Sequence, residues 1–103
     1  MVAERYRVII EPRASEDLIS IFTFIQKDSP QNAASVAQML FDAIDSLEIF
    51  PRRYKVHRWR RNPRRVVRSM PVAPFVIYYR VLERKHVVQV LTVRHGARER
   101  PAL

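Results

Sequence analysis

The chain has 103 residues, no cysteine and a formal net charge of +9. That length fits one domain, the missing cysteine rules out disulfides and thiolate metal sites, and no apolar run approaches the ~20 residues needed to span a bilayer. The N-terminus MVAERYRVII has no apolar stretch of the secretory kind, so a soluble cytoplasmic protein is expected.

The charge is unevenly distributed. Residues 1–51 carry four Lys/Arg and eight Asp/Glu, whereas residues 52–103 carry fifteen and two. An acidic side and a basic side follow, and the basic side points to an acidic or polyanionic partner.

In chain order, Arg5 to Ile10 alternates and reads as a short strand that Glu11-Pro12 ends. Leu18, Ile21, Phe22 and Ile25 then fall at i, i+3, i+4 and i+7, which predicts a helix over 13–27. Glu16 and Asp17 lie in its first turns, where negative charge suits the helix dipole. Ser29 is a good N-cap and Pro30 a good first residue for a second helix, from Pro30 to about Ile49. Its apolar stripe is Ala33, Ala37, Leu40, Ile44 and Leu47, widened by Val36 and Phe41, while Asp42, Asp45 and Glu48 project outward. The short link makes the pair an antiparallel hairpin.

Residues 52–68 read RRYKVHRWRRNPRRVVR, with nine Lys/Arg among seventeen and no acid. Val66 to Met70 is a candidate short strand. Phe75–Leu82 and His86–Val93 flank the charged turn Glu83-Arg84-Lys85 and are rich in β-branched and aromatic residues, so they read as an antiparallel hairpin. Alternation sets Phe75, Ile77, Tyr79 and Val81 against Val76 and Tyr78. In the next strand it sets Val87, Leu91 and Val93 against Val88 and Val90. Strands apolar on both faces belong mid-sheet, with the first strand pairing at one edge. The fold class is therefore α+β: an antiparallel-rich sheet with the helical hairpin on one face, in the order βααβββ, and the other face open and flanked by the basic segment.

The basic run with Tyr54 and Trp59 suits phosphate contacts and base stacking, or an acidic protein surface. Its candidate contact residues are Lys55, Arg58, Trp59, Arg60, Arg61 and Arg64, joined by Arg94 and Arg98 from the last strand and its exit. His57, His86 and His95 match no metal-ligand spacing and read as ordinary surface or strand histidines, so no metal and no cofactor is expected.

Several stretches together resemble the RelE/ParE superfamily of toxins from type II toxin–antitoxin (plasmid stabilisation) systems. They are P-x-A-x-x-D-L at Pro12, Ala14, Asp17 and Leu18; the Ser29-Pro30 helix start; L-x-x-F-P at Leu47, Phe50 and Pro51; VIYYRV at Val76–Val81; and VLTVRHGARERP at Val90–Pro101. The resemblance covers nearly the whole chain as one toxin domain. It implies a cognate antitoxin with an acidic amphipathic segment, and one of two targets. RelE-like members cleave messenger RNA on the ribosome with clustered Lys and Arg and often a tyrosine near the C-terminus; ParE-like members inhibit DNA gyrase.

Arg98 falls on the arginine of the family's closing G-x-R. No tyrosine follows it, and Val76 stands near the position of a RelE-like catalytic arginine. These departures favour the ParE-like branch, acting by protein contact. The alternative is a ribosome-dependent endonuclease with His95, Arg98, Arg80 and Arg65 as its cluster. A third reading is a basic nucleic-acid-binding domain without toxicity.

Overall fold

A computed structural model describes residues 4–59 and 62–96, with backbone alone for residues 58, 59 and 62–65. Strand β1 (Arg7–Ile10) leads into helices α1 (Pro12–Asp28) and α2 (Pro30–Asp45). Two 3-10 turns, Ser46–Glu48 and Pro51–Arg53, precede β2 (Lys55–Trp59), β3 (Asn62–Val72) and β4 (Phe75–Leu82); a third, Glu83–Lys85, precedes β5 (Val87–His95).

The helical hairpin turns on one residue. The Ser29 hydroxyl accepts from the Asn32 amide at 3.2 Å, while its own amide donates to Ile25 and closes α1. Pro12 and Pro30 occupy first helical turns, where a missing N–H costs nothing. α2 ends four residues short of the predicted Ile49. Ser46 turns its hydroxyl back to the Ala43 carbonyl at 2.6 Å, and the chain tightens into the 3-10 turn.

The five strands lie in the order β1-β5-β4-β3-β2. β1 runs parallel to β5, and every other pair is antiparallel. The α+β class is as the sequence suggests, but the sheet has one strand more. Lys55–Trp59 is a strand, paired with a β3 that runs well beyond Val66–Met70. The basic run hid it: in KVHRW only Val56 is aliphatic, and an edge strand can carry charge on its exposed side. Ahead of Arg68, β3 pairs with β2 and not with β4 among the described residues, so the arginine-rich part of the sequence forms a two-stranded ribbon.

A bulge in β5 overturns the simple alternation. Tyr79 faces Val90 and Tyr78 faces Thr92, which leaves Leu91 as the extra residue. Val93 therefore joins Val88 and Val90 under the helices, and Leu91 goes to the opposite face with Tyr78 and Val67. Asp17 of α1 holds the bulge, accepting from the Thr92 hydroxyl and, at 3.1 Å, from the Val93 amide. α1 starts at Pro12 and has no acidic residue in its first turn, so the carboxylate that the sequence assigns to the helix dipole serves the bulge instead. The core beneath the helices joins Leu18, Leu40, Ile44 and Leu47 to Met70, Ile77 and Tyr79.

The segment from Ser46 to Tyr54 has little regular structure, and side chains hold it in place. The Arg53 guanidinium donates to the carbonyls of Ile49 (2.6 Å), Phe50 (3.0 Å) and Ser46 (3.3 Å) and to the Ser46 hydroxyl (3.0 Å). Arg68 donates to the carbonyls of Arg52 and Tyr54. The buried Tyr79 phenol donates to the Pro51 carbonyl at 2.5 Å, and burial pushes its pKa up to about 12. Within this clamp Phe50 adopts φ 49°, ψ 54°, the left-handed region, which costs a non-glycine residue of order 1–3 kcal/mol.

The opposite corner ties β1 down. The Arg7 amide donates to the His86 carbonyl, Tyr6 donates its hydroxyl to Glu83 at 2.9 Å, and Glu83 also meets Arg52 at 3.4 Å. That hydrogen bond and burial raise the Tyr6 pKa above its ordinary value.

Candidate functional site

The face of the sheet away from the helices is built by strand parity. Val76, Tyr78 and Arg80 of β4 share it with Leu91, Gln89 and Arg94 of β5 and with Val67 and Ser69 of β3, because these residues are direct partners or belong to one apolar cluster. β2 adds Lys55 opposite Ser69 and His57 opposite Val67, and β1 adds Arg7. The centre is apolar, with Val67, Tyr78 and Leu91 closely packed and Val76 against them. The surround is cationic, from Lys55, Arg80, Arg94 and Arg7. None of the five strands contains an acidic residue. The face is thus a hydrophobic patch inside a positive rim, a surface that fits an apolar partner edged with carboxylates.

One polar constellation lies on it. The His57 Nε2 and Ser69 Oγ are 2.6 Å apart, and the Tyr78 ring stands edge-on to the imidazole at 6.0 Å between centroids. From sequence alone His57 reads as an ordinary histidine, because the pairing of β2 with β3 is what brings it to Ser69. The available signal is the alternation of Lys55, His57 and Trp59 about Val56.

The residues proposed from sequence divide. Lys55, Arg80 and Arg94 gather on the open face. His95 does not join them. It pairs with Phe75, whose ring it meets edge-on at 6.1 Å, on the side of the helices. Its Nδ1 is buried with no hydrogen-bond partner among the described residues. Arg80 lies five residues further along β4, roughly 17 Å away along a strand and on the other face. His95 and Arg80 therefore form no common acid/base cluster. Arg58, Trp59, Arg64 and Arg65 lie on the β2–β3 ribbon, but their side chains fall outside the described residues, as do Arg60, Arg61 and Arg98 entirely. Among the described residues no group of His, Asp or Glu is placed to hold a metal ion, and no helix is long and apolar enough to cross a membrane.

Solved structures share this architecture. A chain of the chromosomal ParDE toxin–antitoxin system from P. aeruginosa superposes with a TM-score of 0.69 at 19% identity, covering 90% of this chain and 98% of that one. The RelBE2 toxin–antitoxin complex from Mycobacterium tuberculosis gives 0.57 at 24% identity, with 88% and 91% covered. The archaeal RelE–RelB complex from Pyrococcus horikoshii gives 0.61 at 16%, with 92% and 99% covered. No curated protein matches the sequence. The model of the family described as ParE toxin of type II toxin-antitoxin system, parDE, matches residues 8–100. The chain belongs to the ParE toxin family of type II toxin–antitoxin systems.

Proposed function

We propose that this toxin acts by protein contact on DNA gyrase and is neutralised by an antitoxin whose acidic amphipathic segment covers the open face. The observation that carries the reading is the character of that face: an apolar centre with a cationic rim, and the acid/base candidate His95 on the opposite side from Arg80. Such a surface binds by burying area and matching charge. The solved ParDE and RelBE assemblies support the expectation of a cognate antitoxin. Lys55, Arg80 and Arg94 would meet its carboxylates, and Val67, Tyr78 and Leu91 its apolar side chains. The test is gyrase supercoiling with purified toxin, with and without antitoxin. Dose-dependent inhibition that the antitoxin relieves is expected; unimpaired supercoiling by folded toxin at saturating concentration would rule the target out.

The second reading, a ribosome-dependent mRNA endonuclease, is favoured by the His57–Ser69–Tyr78 group. An imidazole beside a phenol on a cationic surface has the parts for taking a proton from a ribose 2′-hydroxyl and holding the phosphate. Cleavage of ribosome-bound mRNA by wild-type protein, lost in folded His57→Ala, would establish it in place of the first.

A further inference from the structure

Phe50 carries an inference that the open face does not. Phe50 is 68% exposed, yet its own carbonyl accepts from both the Arg53 guanidinium and the Arg53 amide. Arg53 binds the carbonyls of Ile49 and of Phe50 itself, and Pro51, which follows, is buried with its carbonyl on the Tyr79 hydroxyl. Three side chains with scarce alternatives (Arg53, Arg68 and Tyr79) are thus committed to a short irregular segment whose exposed product is one phenyl ring. That ring is held in a left-handed conformation that glycine would adopt without strain. Phe24 is more exposed, at 72%, but lies mid-helix, where the regular backbone ladder holds it without strain and without committed side chains.

We propose that Phe50 is a pre-organised anchor that inserts into an apolar pocket of the toxin's target protein, outside the surface the antitoxin covers. A rigid aromatic loses little freedom on binding, which is why such residues dominate interfaces. The charges nearby select the class of partner. Arg5 is paired with Glu48 at 3.2 Å, Arg52 with Glu83 at 3.4 Å, and Arg53 is engaged with carbonyls. A phosphate-bearing ligand needs cations with capacity to spare; a compensated surround with one bare ring suits a protein pocket. The inference deepens the gyrase reading and rests on it for the identity of the target.

The test is Phe50→Gly, which removes the ring and relaxes the backbone. Thermal unfolding is expected at or above the wild-type midpoint. The concentration for half-inhibition of gyrase should rise on the order of tenfold or more, while affinity for the antitoxin stays unchanged. Undiminished inhibition by Phe50→Gly, or lost antitoxin affinity with intact inhibition, overturns the anchor. If wild-type toxin leaves gyrase untouched, the gyrase reading fails by itself. The anchor is then read from growth arrest on induction: arrest by wild type and not by soluble Phe50→Gly supports it, and equal arrest by both removes it.

Discussion

The two faces of the sheet use the same kinds of residue to opposite ends. On the helix side and in the adjoining Ser46–Tyr54 segment, arginine and tyrosine serve the fold: Arg53 and Arg68 bind backbone carbonyls, and Tyr79 is buried with its hydroxyl on Pro51. On the other face Tyr78 belongs to a small apolar patch, and Lys55, Arg80 and Arg94 surround it. Tyr78 and Tyr79 are adjacent in sequence and fall on different sides of one strand. Net charge therefore overstates the binding surface, because part of it is committed to loop carbonyls.

The sharpest way to break this contrast is Leu40→Ala. Leu40 is fully buried between helix and sheet, and truncation should cost roughly 2–5 kcal/mol in denaturant unfolding. A loss below about 1 kcal/mol would mean that the covered face is not the main core.

A smaller effect is expected at Tyr79. Tyr79→Phe leaves the Pro51 carbonyl without its donor and should cost about 1–3 kcal/mol. The same residue gives a pH signature. Its folded pKa, about 12, lies above the ordinary 10.0, so its contribution is complete below pH 10 and is lost as pH rises through 12. In a tyrosinate absorbance titration of the folded protein, Tyr79 should ionise late, and Tyr79→Phe should shrink that late step by one tyrosine while Tyr6, also raised, still titrates above its ordinary value. Titration of Tyr79 near its ordinary value would show that the phenol is not held as described.

The smallest effect on stability belongs to the open face. Lys55→Glu should change unfolding free energy by no more than about 0.5 kcal/mol. It should still weaken antitoxin association, chiefly through a slower on-rate and an altered salt dependence. A large stability loss with unchanged binding would reverse the roles assigned to the two faces.

Much of the fold was legible in the sequence because its signals are local. Ser29-Pro30 marks the helix junction, the spacing of Leu40, Ile44 and Leu47 gives a buried stripe, and the β-branched runs around Glu83–Lys85 give the central hairpin. What escaped depends on pairing. Lys55–Trp59 looks like a charged loop until β3 lies beside it. The bulge that sends Leu91 away from Val93 is set by Asp17, a long way back in the chain. For the same reason the site was half legible: Lys55, Arg80 and Arg94 announce themselves by charge, but the meeting of His57 with Ser69 and the separation of His95 from Arg80 are matters of register. The family resemblance reached the class of toxin, and its closing motif did not foretell which face His95 would occupy.

The parallel pairing of β1 with β5 has a consequence for synthesis. Among the described residues β1 is made before the other strands, and the strand it pairs with, β5, is made after them and also carries the partner groups for Asp17. Local helix can form early, but the helical hairpin lacks most of its floor until Val87–His95 has left the ribosome. At about 5–20 residues per second, this leaves a nascent chain several seconds old with its apolar stripe uncovered. The fold's shape arrives late and all at once, so a partner already present in the cell has its earliest opportunity once Val87–His95 is free to pair.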